Sequence, residues 1–388
     1  MARMSSGRVM RATAPVKTCA SPAAPPITLP REIEVALRAG AWAVFNLSGG
    51  KDSSAALFAA MPVLDALGHP RERRIAVHAD LGRAEWDSTP ATVKAIAARA
   101  EIPLAIRRRQ SGDLFERWNQ RFAAGKVRYE ELATYNLIGP WSSASLRFCT
   151  SEQKAQVIGP YLARHLAGEI IIQVIGIRRD ESSARSVAPD WKRDTRFAAN
   201  GNRAGTSMLV WHPVIDWSSD DVFAFHDANA VPLHEAYTQY GSSRLSCRYC
   251  VLQSLGDQRA SASCPSNHEA FIHLVALEAR STFSFQPGRW LADTAPHLLT
   301  PGLAADVARA KHDAVQRRQL DHAPRSALSA MLPAACTHVG RGRRHCRSKE
   351  ASLATPWPGE QISHRTRGAR SVCGAHRAEA LKSRCDTP

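Results

Sequence analysis

The residues best suited to chemistry form one short segment, Ser48-Gly49-Gly50-Lys51-Asp52-Ser53. Its glycines let the backbone approach an anion closely, and the amides at the start of a following helix favour negative charge. Lysine supplies a positive charge, and serine hydroxyls donate hydrogen bonds to phosphate oxygens. The aspartate suggests Mg²⁺ between its carboxylate and the phosphates, or a helix cap. The segment predicts a polyphosphate site, with an ordinary glycine-rich turn as the alternative.

The flanking sequence predicts that this segment joins a strand to a helix, since residues 41–47 are largely apolar and residues 54–60 are small and apolar. Further elements alternate along the chain: strands at 74–78, 103–106, 169–175 and 209–211, and helices at 85–100, 152–166 and 220–228. The largely β-branched run at 169–175 is typical of a parallel strand covered on both faces. The alternation predicts a doubly wound α/β fold with a mostly parallel sheet and ligands at the carboxyl ends of its strands.

The length of 388 residues, with 22% charged and 44% hydrophobic residues, suits a globular protein of one or two domains. We predict an α/β nucleotide-binding domain over 32–265, including a Cys-containing loop at 241–265, and a helical C-terminal subdomain over 266–327. No apolar run approaches the ~20 residues that span a membrane, and the N-terminus lacks a secretory signal. We therefore expect a cytoplasmic protein with no membrane partner.

The formal net charge of +16 lies mainly at the two ends of the chain. Residues 1–31 carry five basic and no acidic side chains, and residues 326–388 carry eleven basic and four acidic ones. We therefore predict a disordered basic extension over 1–31 and a disordered basic tail over 328–388. Nucleic acid is a candidate partner of these ends, with mere solvation as the alternative.

Two further charged features follow predicted strands. The run Gly176–Arg185 contains three arginines and two acids, and guanidinium groups bind phosphate or sulfate bidentately. We interpret it as an anion clamp, with a solvated loop as the alternative. Asp80 follows the strand at 74–78, where its carboxylate could hold a ribose hydroxyl, Mg²⁺ or a helix N-terminus.

The nine cysteines of a chain expected inside the cell argue against a disulfide framework. Cys247 and Cys250 form a CxxC pair, which permits zinc, an iron–sulfur cluster or a redox pair. Cys149 and Cys264 could complete a four-thiolate site, with free structural thiols as the alternative.

Taken together, these segments resemble the phosphoadenylyl-sulfate (PAPS) reductase family of the PP-loop ATP pyrophosphatase superfamily, also called the adenine nucleotide alpha hydrolases. Residues 48–53 look like the PP-loop, Gly176–Arg185 like the family's GIRxxES…R element, and Pro213–Val222 like its P(L/I)xDW(T/S)xxDV element. The resemblance covers roughly residues 40–295. The family that the chain resembles includes the branch related to the DNA phosphorothioation protein DndC.

The resemblance implies an adenine nucleotide, either ATP with Mg²⁺ or an adenylyl sulfonucleotide. It implies two sets of site residues: catalytic Lys51, Asp52, Arg178 and Arg185, and nucleotide-binding Ser48, Gly49, Gly50, Lys51, Asp52, Ser53, Asp80, Gly176 and Arg178. Adenylyl-sulfate reductases of the family hold a [4Fe–4S] cluster on a Cys pair and a CxxC. Here Phe148 replaces the first Cys of that pair, so Cys264 is the candidate fourth ligand beside Cys149, Cys247 and Cys250. We rank a cluster ahead of zinc.

Three functions remain in competition. The complete Ser-Gly-Gly-Lys-Asp-Ser loop favours an enzyme that cleaves ATP at the α-phosphate in sulfur-related chemistry, with a thiol or sulfur-donor protein as partner. The second is a PAPS or adenylyl-sulfate reductase that releases sulfite. The third is a non-catalytic nucleotide-binding component of a DNA sulfur-modification system. Cys373 lies in a weak Cys-Gly-x-His match that we interpret as chance.

Overall fold

The computed structural model describes residues 25–131, 133–134 and 136–322. The predicted basic extension lies outside the described residues except for residues 25–31, and the predicted tail over 328–388, with Cys373, lies outside them entirely. Among the helices of the described part, none has both the length and the apolar character that crossing a membrane requires.

A six-stranded sheet organises the described residues. Its strands are β1 Trp42–Asn46, β2 Arg74–Asp80, β3 Leu104–Arg108, β4 Ile170–Val174, β5 Trp191–Arg193 and β6 Ser207–Trp211. The spatial order is β3-β2-β1-β4-β6-β5, and all neighbours are parallel except the pair β5 and β6. The predicted α/β fold with a mostly parallel sheet is confirmed, while the short antiparallel strand β5 was not predicted.

The order of the strands creates a switch point between β1 and β4. Strand β2 and then β3 lie beyond β1 on one side, while β6 lies next to β4 on the other side and β5 forms that edge. In such sheets a crevice opens outside the carboxyl ends of the strands where the order reverses. The loops that follow β1 and β4 therefore meet at one place.

The described helices cover both faces of the sheet and extend beyond it. They are α1 Arg31–Arg38, α2 Lys51–Ala66, α3 Thr89–Arg99, α4 Leu114–Glu130, α5 Phe148–Thr150, α6 Gln156–His165, α7 Ser219–Ala228, α8 Glu235–Thr238, α9 Leu255–Ser263, α10 His268–Ser281 and α11 Pro301–His322. A π-helical turn at Ser151–Ala155 joins α5 to α6, within the helix predicted at 152–166. Helix α9 lies inside the predicted Cys-containing loop.

Local signals explain where two of these helices begin. Helix α7 follows Ser218, whose hydroxyl accepts from the Asp221 amide (3.1 Å), while the Asp221 carboxylate accepts from the Ser218 amide (2.7 Å). This reciprocal arrangement is a capping box, and it precedes the helix predicted at 220–228. Helix α3 begins at Thr89 rather than near 85, because Pro90 lacks an amide hydrogen and is tolerated only in a first helical turn.

Apolar side chains are buried on both faces of the sheet, as expected from the strand predicted at 169–175 with both faces covered. Ile172 packs with Phe45 and Trp211 in the core beneath α2 and α7, and Ile171 packs with Val44 in the core beneath α6. Adjacent residues of a strand point to opposite faces, so a strand buried on both sides is apolar throughout.

A third core lies beside the sheet and is built from helices. Phe115 and Trp118 of α4 pack with Phe271 and Leu274 of α10, and α11 packs against α10. This core joins residues from both sides of the boundary predicted between 265 and 266. The domain boundaries themselves stay predictions.

Candidate functional site

A cavity of about 620 Å³ lies at the carboxyl ends of the parallel strands. The loop after β1, the loop after β4, the segment 147–158 and the segment 244–252 all contribute to its wall. The cavity thus occupies the crevice expected at the switch point of the sheet.

The predicted phosphate loop borders this cavity through Ser48, Gly50, Asp52 and Ser53. Gly49 has a φ of +77°, a left-handed conformation that glycine adopts without strain. The Ser53 hydroxyl donates to the Gly50 carbonyl (2.8 Å) and accepts from the Ser48 amide (3.2 Å), which closes the turn. Helix α2 starts at Lys51, so its positive N-terminal end lies at the cavity wall.

A distant tyrosine holds the loop in place. The Tyr237 hydroxyl accepts hydrogen bonds from the Lys51 amide (3.2 Å) and from the Leu245 amide (2.8 Å). Burial raises the pKa of Tyr237 well above its ordinary value, so the hydroxyl keeps its proton at neutral pH. That proton is available to a ligand oxygen, since Tyr237 itself lines the cavity.

Two ion pairs that share one carboxylate lie beside the loop and join Asp52 to Lys51 and to Arg178. The Lys51 ammonium lies 3.1 Å from the Asp52 carboxylate, and Arg178 Nε lies 2.6 Å from the same carboxylate. Arg178 also pairs with Asp180. Burial lowers the pKa of Arg178, but the two aspartates outweigh it and raise the pKa overall. Asp52 reaches the cavity, whereas Lys51 and Arg178 support it from behind.

Gly176 is the point where the loop after β4 touches the loop after β1. A Cβ at this position would lie 2.1 Å from the Asp52 carbonyl oxygen and 2.7 Å from the Ser53 amide nitrogen. Gly176 therefore allows the close approach of two backbones, which is the reason for a glycine here.

The charged lining of the cavity has a net positive charge, with six lysine or arginine residues and four aspartate or glutamate residues. Arg185 lines it and pairs with Glu181. Four further cations line it without a recorded ion pair among the described residues: Arg147, Lys154, Lys192 and Arg244. Unneutralised positive charge in a concave site favours a ligand with several negative charges.

Asp80 is engaged elsewhere. Its carboxylate accepts from the Gly82 amide (2.8 Å) and pairs with Arg108 (2.6 Å), and it is not part of the cavity lining. The structure therefore places Asp80 at the end of β2 in a turn, apart from the other predicted nucleotide-binding residues.

Three of the four predicted thiol ligands line the cavity, namely Cys149, Cys247 and Cys250. Cys264 is buried in a separate cluster with Trp86. Burial raises the pKa of Cys247 to about 12 and also raises that of Cys250. Across the described residues, no group of three or more His, Cys, Asp or Glu side chains is arranged to hold a metal ion. The four cysteines do not fit a single four-thiolate site in this arrangement.

Sequence reasoning missed the polar side chains at the inner end of the cavity. His78 lines it with Glu85, whose carboxylate lies 3.2 Å from His78 Nε2. Burial lowers the pKa of His78, but Glu85 outweighs this and raises it overall. Asn46, Gln173 and His212 also line it. The available signal was a polar residue within or next to an otherwise apolar strand, as in Ile-Ile-Ile-Gln-Val.

Comparisons with known proteins show similarity to one protein family and to individual proteins. The family model described as "Phosphoadenosine phosphosulfate reductase domain" matches residues 43–262. An uncharacterized 37.8 kDa protein of Escherichia phage 186 is 30% identical over 118 residues, which are 29% of this chain and 32% of that protein. The chain thus matches about a third of that relative's length. A phosphoadenylyl-sulfate reductase from Candida auris, solved as a phosphate complex, shows 14% identity and a TM-score of 0.33, over 55% of this chain and 94% of that one.

Proposed function

The chain belongs to the phosphoadenosine phosphosulfate reductase domain family, and on that premise we propose that it is an enzyme that binds ATP with Mg²⁺ in the cavity. It cleaves the nucleotide at the α-phosphate in sulfur-related chemistry. The observation that carries the proposal is the phosphate loop at the wall of a cavity whose charged lining has a net positive charge.

We favour ATP over a sulfonucleotide as the ligand, because the loop at 48–53 has every residue of the PP-loop sequence. All six residues of Ser-Gly-Gly-Lys-Asp-Ser are present, and the positive N-terminal end of α2 lies beside them. A β,γ-pyrophosphate would use such a loop fully, whereas a phosphosulfate lacks this group. Typical PAPS reductases have a degenerate version of the loop, as the sequence resemblance implies.

Asp52 suits a magnesium ion that arrives with the nucleotide. Mg²⁺ is usually held by one or two carboxylates together with substrate phosphates and water, so a preformed cage of three side chains is not required. The Asp52 carboxylate lines the cavity and is oriented by Lys51 and Arg178. When bound, the ion would neutralise phosphate charge.

The residues of this chain then have distinct tasks. The hydroxyl of Ser48 and the positive N-terminal end of α2 hold the β- and γ-phosphates. Arg185 and Lys192 stabilise the negative charge that develops at the α-phosphate as the acceptor bonds to phosphorus and pyrophosphate leaves. Gly176 and Tyr237 keep the loop in position for this step.

Calorimetric titration with ATP and Mg²⁺ tests the proposal. We expect the wild-type protein to bind, and Lys192→Ala to bind about tenfold or more weakly, since hydrogen bonds to charged groups contribute about 1.5–3 kcal/mol. Lys51→Ala should also weaken binding, because it removes the ion pair that orients the Asp52 carboxylate. Lys126→Ala is the matched control, because Lys126 lies on the exposed side of α4 and pairs with Glu130. Thermal unfolding of each variant separates loss of binding from loss of folding. Absence of ATP binding by the folded wild-type protein would reject the proposal.

Sulfonucleotide reduction is the second candidate, because three thiols line the same cavity. In that reaction the thiolate of one of the pair Cys247 and Cys250 would attack the sulfur of PAPS, which forms a thiosulfonate and releases adenosine 3′,5′-bisphosphate. The second thiolate would then attack the thiosulfonate, so that a disulfide forms, sulfite leaves with the two electrons, and two thiol protons are released in all. Sulfite release from PAPS in the presence of dithiothreitol, abolished by Cys247→Ser, would favour this candidate. Pyrophosphate release from ATP without sulfite would favour the first.

A further inference from the structure

The face of the sheet that α6 covers carries positive charge that no carboxylate neutralises. Arg107 near the end of β3, Arg164 on α6 and Lys192 in β5 are exposed. Within the described part of the chain, none of these three cations has a recorded ion pair. Helix α6 has no acidic residue, and the one acid in the segment 191–207, Asp194, is buried and paired with Arg196. This face therefore suits an anionic partner.

Three planar side chains are stacked on the outside of this face. The central carbon of the Arg107 guanidinium lies over the Tyr161 ring, 4.0 Å from its centre. The rings of Tyr161 and His165 are stacked, with 5.2 Å between their centres and 15° between their planes. Tyr161 is partly buried against the core under α6, whereas Arg107 and His165 are exposed. The stack therefore ends at exposed planar groups, which a further flat ring could extend.

A second aromatic ring with a cation over it lies on the other side of α6. Phe197 packs onto Gly159 so closely that a Cβ at Gly159 would lie 2.2 Å from the Phe197 ring. The Arg196 guanidinium lies over the same ring, 5.2 Å from its centre. Gly159 and Tyr161 point to different sides of the helix, since residues two apart are separated by about 200°. Arg196 and Phe197 also line the cavity, so this basic and aromatic surface is continuous with the cavity wall.

Cations beside flat side chains match the chemistry of single-stranded nucleic acid. Its phosphates bind lysine and arginine, and its unpaired bases stack on aromatic rings and on guanidinium planes. An acidic peptide would satisfy the cations but leave the planar groups unused. A duplex offers phosphates, but the faces of its bases are already covered by their neighbours in the helix. A single strand is therefore the partner that uses both features of this surface.

We propose that a single strand of nucleic acid binds the surface formed by Arg107, Tyr161, Arg164, His165, Arg196 and Phe197. A base extends the stack at Arg107 and Tyr161, and a neighbouring phosphate lies against the exposed Arg164 guanidinium. The strand is recognised through its phosphates and the faces of its bases rather than through its sugars. This inference goes beyond the proposed function, because strand binding at α6 requires no nucleotide in the cavity.

Fluorescence anisotropy of the full-length protein with a labelled oligothymidylate tests the inference, and an abasic strand of equal length and charge is the matched ligand. Wild-type protein should bind oligothymidylate about 5- to 150-fold more tightly than the abasic strand, the factor that one stacked base contributes. Tyr161→Leu keeps an apolar side chain against the core and should reduce this ratio about fivefold or more. Arg164→Ala should lower the slope of log affinity against log salt by about 0.7, the value for one phosphate contact to a single strand. Arg38→Ala is the matched control, because Arg38 is exposed on α1, which packs on the opposite face of the sheet.

Three results would overturn the inference. The first is absence of binding to either strand, and the second is equal affinity for both, which means attraction to any polyanion. The third is wild-type behaviour of both Tyr161→Leu and Arg164→Ala, which places strand binding elsewhere, such as at the basic ends of the chain. Neither Tyr161 nor Arg164 lines the cavity, so both variants should bind ATP as the wild-type protein does. Calorimetry with ATP therefore tests the proposed function separately, and circular dichroism confirms that each variant is folded.

Discussion

Replacing Gly176 with alanine should dislodge the phosphate loop. The added Cβ would lie 2.1 Å from the carbonyl oxygen of Asp52, 2.4 Å from its carbonyl carbon and 2.7 Å from the amide nitrogen of Ser53. Real Cβ atoms essentially never approach other heavy atoms within 3.0 Å. All three contacted atoms belong to the backbone, so no side-chain rotation can relieve the overlap.

The size of the effect follows from these distances. The shortest contact must open from 2.1 Å to at least 3.0 Å, so the loop after β1 or the loop after β4 must move by about 0.9 Å. Insertion of one extra carbon into a packed site typically costs about 1–3 kcal/mol, and the upper part of that range applies where backbone must move. Misplacement of a site by about 1 Å can also cost about 100-fold in rate. We therefore expect loss of both stability and ATP binding.

Urea unfolding and calorimetric titration with ATP measure the two effects separately. Gly302→Ala is the control, because a Cβ there would meet no atom within 4 Å. It should change the free energy of unfolding by less than about 0.5 kcal/mol and leave ATP binding unchanged. Wild-type stability and affinity in Gly176→Ala would refute the close approach of the two loops.

Three further predictions concern charges and thiols. Glu278 is fully buried, and burial raises its pKa to about 7. Because the folded state then binds its proton more tightly, the free energy of unfolding should fall by about 3 kcal/mol as pH rises from about 4.5 to 7. In urea titrations of Glu278→Gln, the free energy of unfolding should fall less over this pH range. An equal fall in the wild-type protein and the variant would contradict the raised pKa of Glu278. Arg178→Ala leaves the Asp52 carboxylate without its closest partner and should lower the free energy of unfolding by about 3 kcal/mol. Arg179 is about one-third exposed, so Arg179→Ala should lower the free energy of unfolding by less than about 1 kcal/mol. Equal losses of stability in Arg178→Ala and Arg179→Ala would argue against the buried ion pair of Arg178 with Asp52. Cys247, with its pKa raised to about 12, should resist iodoacetamide at pH 7.5 in the folded protein and react only after unfolding in urea, as peptide mass spectrometry can show. Rapid labelling of Cys247 in the folded protein would contradict its raised pKa.

Much of the sheet was predictable because its signals are local. The apolar run before Ser48 and the β-branched run at 169–175 each predicted a strand, and the structure has β1 and β4 there. The helix predicted at 220–228 corresponds to α7, whose start is also set locally, because the Ser218 hydroxyl needs only an amide three residues later. Strand β5 was not predicted because its three residues pair with a distant partner and carry no apolar pattern.

The site was predictable only where its residues follow one another. The loop at 48–53 reaches the cavity as expected, since a glycine turn between a strand and a helix is set by adjacent residues. The separation of Cys264 from Cys149, Cys247 and Cys250 could not be read from their spacing. A CxxC pair limits the distance between two thiols, but the position of a third or fourth depends on how helices pack.

By itself the amino-acid sequence determined the α/β class, the glycine-rich turn at 48–53 and the resemblance to a family, because each of these depends on residues close together in the chain. Only the tertiary structure brought Asn46, Gln173 and His212 to the wall of one cavity. Only the tertiary structure placed the Arg178 guanidinium and the Lys51 ammonium in ion pairs with the Asp52 carboxylate. The physical reason is that strand order and core packing bring residues more than 100 positions apart in the sequence into one site. Spacing along the chain carries no record of that placement.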